Sequence, residues 1–251
     1  MDHLTHCDLL AAELPEMERA FRAADPAAAV PACPDWTVAD LATHLGRIHR
    51  WVAAIVGTAS PVRIDARTLQ LDLPSAGATA DTWADWLADG GQQVLSALRD
   101  ADTEAEIWTW GGDNRVPWWS RRQLHETLVH RIDAEQAAGA EWTVDPTVAV
   151  DAIDEHLGNI AASAYFSSGV QHLKGEGSLH LHATDVPGEW MIELTPDGFT
   201  ISHDHGKGTV AARGTAKDLL AAVTNRGTIE PLEVFGDAEL LTWWLKNSAL
   251  E

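Results

Sequence analysis

Two histidines and a glutamate in separate helical stretches, His44, Glu126 and His130, are the residues of this chain best suited to chemistry. Glu126, His130 and Asp133 recur at i, i+4 and i+7, which lines them up on one side of a helix with Trp119 and Ala137. Leu124, Leu128 and Ile132 line the other side, so this helix reads as buried on both faces. An exposed Glu–His pair would be an ordinary solvated pair worth about 0.2–0.5 kcal/mol. A buried pair is costly unless its members bond each other or hold a cation. His44 falls beside Leu41 and Ile48 on the apolar face of an earlier helix, whereas Arg47 and Arg50 fall on its outer side. A single histidine on such a face is more often a hydrogen-bonded core residue than a ligand. If both faces meet inside one bundle, however, two imidazoles and one carboxylate make a divalent-metal site with open positions. That donor set is of the catalytic-zinc type and also suits non-haem Fe(II) or Ni. Asp133, one turn further on, would orient a ligand or handle a proton.

Other motifs read more weakly. His125-Glu126 followed by His130 resembles the HExxH element of zinc proteases, but the spacing is HExxxH, with the histidines five positions apart. They stand about 140° apart on the helix and cannot share one ion. His180/His182 and His203/His205 are His-x-His pairs on strand candidates. Such pairs bind metal in cupin-like barrels, a fold that the helix-rich first half does not suit, so they read as half-exposed strand histidines. Cys33 reads as a reactive thiol or as a small packed loop residue. No G-x-S-x-G nucleophile elbow is present.

The elements that must position these residues follow from periodicity. Helices are expected over 3–23, 37–56 (opened by Thr37 with Asp40 in capping-box position and Trp36 stapled to Leu41), 80–99, 117–138 and 145–166. Gly90 and Gly91 predict a kink or break in the third. The Pro-punctuated stretch 24–36 reads as loop. From Gly175 the pattern alternates, with strands at 178–183, 190–194, 200–203, 209–212 and 232–235 and helices at 216–225 and 238–246. Pro196-Asp197-Gly198 reads as a hairpin turn. The expected class is α plus α+β: a helical domain over 1–170, then a small α+β domain over 171–251.

Composition limits the functions open to this fold. Among 251 residues, 38 acidic against 17 basic side chains give a net charge of −21, which disfavours binding to nucleic-acid phosphates or anionic membranes. The first residues show no basic-then-apolar leader and no window is apolar enough to span a bilayer, so a cytoplasmic protein is expected. Two cysteines are too few for a disulfide framework. Twelve Trp against four Phe and one Tyr is unusual, and most of them should fill the core.

Val30-Pro31-Ala32-Cys33-Pro34-Asp35-Trp36-Thr37-Val38-Ala39-Asp40-Leu41 leading to His44-Leu45-Gly46 resembles the signature of the mycothiol-dependent maleylpyruvate isomerase family. So do Arg122 to Glu126, His130-Arg131-Ile132-Asp133-Ala134-Glu135 and Asp151-Ala152-Ile153-Asp154-Glu155. Gly214 to Leu220, Asn225-Arg226-Gly227 and Val234-Phe235-Gly236-Asp237-Ala238 resemble its C-terminal domain. The resemblance implies a DinB-like four-helix bundle followed by a sterol-carrier-like α/β domain. It implies metal ligands at His44, Glu126 and His130, zinc foremost, and catalytic roles for Asp133 and Arg226. Around Arg226 the motif departs from the family's usual Gly-Arg form. Also implied is mycothiol as cosubstrate: a metal-activated thiolate adds to a cis enedione acid, the former double bond rotates, and elimination yields the trans isomer. Halted after addition, the same chemistry is S-transfer to an electrophile. Trp108, Trp110, Trp118 and Trp119 would wall the substrate, and Arg122, Arg131 and Arg226 would supply cations for the thiol or a carboxylate. Three other readings stand beside this one: a metal hydrolase, a non-catalytic ligand-binding member of the family, and a helical interaction module without metal.

Overall fold

The helices of the first half begin where a residue can satisfy their free N–H groups. In the computed structural model, which describes residues 1–163 and 169–249, Asp2 accepts from the Thr5 N–H at 2.8 Å and opens α1 (His3–Ala23). Thr37 opens α2 (Val38–Gly57) through the expected capping box: Thr37 Oγ1 accepts from the Asp40 N–H at 3.2 Å, and the Asp40 carboxylate accepts from the Thr37 N–H at 2.9 Å. Thr79 caps α3 (Ala80–Asp100), and Pro117 sits in the first turn of α4 (Val116–Ala137). The stretch expected to be loop before α2 contains a short hairpin, β1 (Ala29–Val30) with β2 (Cys33–Thr37), in which Val30 pairs with Cys33.

α1 packs on α3 and α4, and α2 packs on the same two helices. Leu10, Met17 and Phe21 of α1 meet Leu41, Leu45 and Ile55 of α2 and Leu87 and Leu98 of α3 in one buried core. α4 buries residues all round its circumference, from Trp119 through Leu124, Leu128 and Ile132 to Asp133. α3 continues through Gly90 and Gly91 without a break. These glycines serve close helix packing: a Cβ on Gly90 would lie 2.3 Å from an Arg50 guanidinium nitrogen, and one on Gly91 would lie 2.4 Å from a Leu14 methyl.

The chain divides into compact units at Met1–Trp142 and Thr143–Glu251, not near residue 170. The reason lies in α5 (Pro146–Ser163), whose buried Ile153, Leu157 and Ile160 belong to a helix that packs on α6 (Ala216–Val223) within the second unit. The expected end of α5 at Phe166 lies outside the described residues. The second unit is built on a five-stranded sheet. Its strands are β3 (Ser178–Ala183), β4 (Glu189–Thr195), β5 (Gly198–Ser202), β6 (Val210–Gly214) and β7 (Glu233–Gly236). They lie in the order β5-β4-β3-β6-β7, with β3 and β6 parallel and the other neighbours antiparallel. α7 (Ala238–Asn247) closes the unit and buries Trp244. No helix among the described residues is long and apolar enough to cross a membrane.

Candidate metal centre in the helical unit

α2 and α4 bring His44, Glu126 and His130 together, with one ligand atom from each lying within 4.8 Å of the others. Glu126 Oε1 is 3.2 Å from both His44 Nε2 and His130 Nε2. The two imidazoles stand edge to face, ring centres 5.0 Å apart. Local sequence produces half of this arrangement, because i and i+4 on α4 place the Glu126 carboxylate under the His130 ring. The packing of α2 on α4 supplies His44.

Exposure is graded across the cluster. The Asp133 side chain has no accessible surface, His130 retains 10% and Glu126 13%, whereas His44 keeps 35%. The site is therefore closed on its α4 side and most exposed at His44. Trp36 lies across that edge, its ring centre 4.9 Å from that of His44.

Two neighbours set the electrostatics. Asp133 Oδ2 accepts from His130 Nδ1–H at 2.9 Å, which directs Nε2 toward Glu126 and His44. Arg122 NH2 donates to Glu126 Oε2, leaving Oε1 to the imidazoles. Burial alone would raise the Glu126 pKa, but the Arg122 charge and then the charge of His130 hold it well below the usual carboxylate range. Burial likewise opposes the charge on His130, yet Glu126 and Asp133 outweigh it and push its pKa up to about 9. Without an ion, Arg122 and His130 balance the Glu126 charge. Two imidazoles and one carboxylate converging on one point are donors that a divalent cation takes, so the residues present fit such an ion.

The other residues singled out in the sequence fall in different places. Arg131, next to His130, is turned to α1, where Glu13 Oε1 accepts from its Nε, and Glu135 Oε2, one turn on in α4 itself, accepts from NH1 at 2.6 Å. It is thus engaged on the face of α4 away from α2. Trp110 packs edge to face on Trp118 at 4.8 Å, and Trp118 on Trp119 at 4.7 Å. Trp108 joins Trp119 at 6.1 Å, and both approach Trp51. This aromatic cluster pins the 104–117 connection to the first turns of α4, with Trp119 buried and donating to the Trp108 carbonyl at 2.8 Å. Arg226 belongs to the second unit, where NH1 donates to the Thr224 carbonyl at 2.7 Å beside Asn225, whose φ is +58°. Arg50, expected on the outer side of α2, instead lies over the Trp86 ring at 4.2 Å.

Sequence reading passed over His49. It is fully buried, with Nε2 3.0 Å from Thr127 Oγ1, whose own hydroxyl donates to the Gln123 carbonyl at 2.7 Å. Nε2–H is therefore the donor, and burial holds the ring neutral with a pKa near 3. Its spacing from Leu45 and Val52 on the apolar face of α2 was the signal available.

Residues 7–135 match the family described as the mycothiol maleylpyruvate isomerase N-terminal domain, and residues 147–242 match the MDMPI C-terminal domain. Two solved structures, mycothiol-dependent maleylpyruvate isomerase and a histidine-to-alanine mutant of it, share the fold with a TM-score of 0.63. Each alignment covers 93% of both chains, at 13% and 12% identity. No curated protein matches the sequence. The N-terminal match alone takes in more than half of the chain and contains every residue of the His44–Glu126–His130 cluster; the chain belongs to the mycothiol maleylpyruvate isomerase family.

Proposed function

We propose that this chain is a metal-dependent enzyme that uses a low-molecular-weight thiol, mycothiol, to isomerise a cis enedione acid of the maleylpyruvate type. The observation that carries this reading is the convergence of His44, Glu126 and His130 on one point, open at His44 and closed beneath by Asp133. A divalent ion held there, zinc being the one this donor set suits best, would supply the Lewis acidity that makes a bound thiol a thiolate at neutral pH.

The remaining work falls to the protein. Asp133 keeps the His130 ring in the orientation that offers Nε2 to the site. Arg122 balances the charge of Glu126 and fixes which oxygen faces the imidazoles. Trp36 and the exposed edge of His44 form the entrance past which thiol and substrate approach. Arg226 keeps, on the family motif alone, a role in binding thiol or substrate. Arg122 and Arg131 are already occupied by carboxylates, so neither is the cation we assign to a substrate carboxylate.

Thiol addition is shared with S-transfer, and the fate of the adduct separates the two. The test is turnover of maleylpyruvate by tag-free protein with and without mycothiol, alongside His44→Ala and elemental analysis of both. Thiol-dependent isomerisation, with near-stoichiometric metal lost in His44→Ala, is the expected result. Turnover that ignores thiol would leave the hydrolase reading in its place. A stable thiol adduct without isomer would identify an S-transferase.

A further inference from the structure

The second unit contains another group of ligand-type side chains, and it is more complete than the first. β3 has a period of two, so His180 and His182 share one face of the sheet. The antiparallel register places Glu189 of β4 directly across from His182. His205 comes from the connection after β5 and folds back over the end of β4. One ligand atom from each of the four lies within 4.8 Å of the others. Glu189 is the hub, with Oε1 2.8 Å from His182 Nδ1 and Oε2 2.9 Å from His205 Nδ1 and 3.4 Å from His180 Nε2.

Several observations separate this group from a chance gathering of surface histidines. His180 is 6% exposed, and its Nε2 is buried without a hydrogen-bond partner although it is aimed at Glu189. Such a nitrogen incurs a desolvation cost that a cation would offset. The segment carrying His205 is anchored at both ends. His203 Nδ1–H donates to the Glu189 carbonyl at 3.0 Å, and Ser178 and Thr209 exchange N–H to hydroxyl bonds at 3.1 and 3.2 Å. Gly208 lies so close to the backbone of β3 that a Cβ there would come 3.0 Å from the His180 backbone nitrogen and 3.1 Å from the Ser178 carbonyl oxygen, so glycine is what lets this segment reach the sheet. Arg213 stands opposite His182 on β6, and its guanidinium is directed to Glu233 at 3.8 Å.

We propose that His180, His182, Glu189 and His205 form a second divalent-cation site of the zinc class. Three imidazoles and one carboxylate complete a four-coordinate shell, whereas His44, Glu126 and His130 leave positions open. Tetrahedral zinc at about 2.0–2.1 Å from each ligand places ligand atoms roughly 3.3 Å apart, so adjustments of about an ångström suffice. With all four positions supplied by protein, the ion staples the 203–209 segment to β3 and β4 and offers no position for substrate. The sequence expectation of independent, half-exposed strand histidines does not fit this arrangement, because strand register and the returning segment bring them together.

The experiment uses full-length, tag-free chain with the helical cluster removed, His44→Ala/His130→Ala, and zinc alone as the probe, measured by equilibrium dialysis with elemental analysis. One equivalent is expected to remain bound. Adding His205→Ala, an exposed position whose loss should leave the fold intact by circular dichroism, should weaken binding by at least about tenfold. X-ray absorption of the bound zinc should show nitrogen and oxygen ligands only. The proposal is overturned if the His44→Ala/His130→Ala chain binds no zinc, or if its zinc is indifferent to both His205→Ala and His182→Ala. The helical centre stands or falls separately: if wild type and the His44→Ala/His130→Ala chain bind equal zinc, that centre fails and this one remains.

Discussion

Asp133 lies beneath His130 with its carboxylate wholly buried, 2.9 Å from Nδ1, and so decides which nitrogen of that ring faces Glu126 and His44. Asp133→Asn keeps the volume and loses the charge that favours the Nδ1–H form. A comparable loss of a ligand's hydrogen-bond partner weakens metal affinity by about ten- to a hundredfold. Competition with a chelator should show a shift in that range, with helical content unchanged. Affinity equal to wild type would remove Asp133 from the site.

Arg122→Gln is expected to be harmful for a different reason. It leaves the Glu126 carboxylate buried beside two imidazoles without its guanidinium, and breaking a buried pair of this kind costs roughly 3 kcal/mol. Urea unfolding in chelator should reveal that loss. Added zinc should recover part of it, since an ion binding only the folded state stabilises by mass action. A variant as stable as wild type in chelator would show that other groups compensate Glu126.

His49 makes stability depend on pH in an identifiable window. Folded His49 accepts a proton only near pH 3, against about 6.5 unfolded, because burial penalises its charged form. Between those values the unfolded chain binds more protons, so this contribution is complete above about pH 6.5 and is lost as pH falls, by roughly 1 kcal/mol per pH unit. His49→Gln should flatten that slope. Comparing urea midpoints of both proteins in chelator at pH 7 and 5.5 isolates the effect, and parallel slopes would rule it out.

Gly46 of α2 faces Trp86 of α3 at a close helix contact. A Cβ there would meet the Trp86 ring at 2.1 Å, and the ring cannot retreat freely because Arg50 lies over it at 4.2 Å. Gly46→Ala should therefore destabilise the bundle by about 1–3 kcal/mol, despite the better helix propensity of alanine. Thermal unfolding of the variant checks this, and a raised midpoint would mean that Trp86 repacks easily.

Much of the helical centre was legible from spacing alone. The 3.6-residue period places Glu126, His130 and Asp133 on one line of α4, and the Thr37–Asp40 box sets where α2 begins, because caps and helical faces depend on residues within a turn or two of one another. The alternation of β3 likewise put His180 and His182 on one face. Pairings between distant segments had no such signal. The Arg122–Glu126 pair still follows from i and i+4 spacing on α4, yet only packing brings Glu13 of α1 to Arg131 of the same helix. Gly90 and Gly91 looked like helix breakers because propensity is local; their use, the room they leave for Arg50 and Leu14, exists only once three helices meet. Glu189 and His205 became neighbours of His182 through strand register and the path of one returning segment. Local periodicity thus selects the chemical groups of each cluster, whereas long-range packing decides which of them share a point in space.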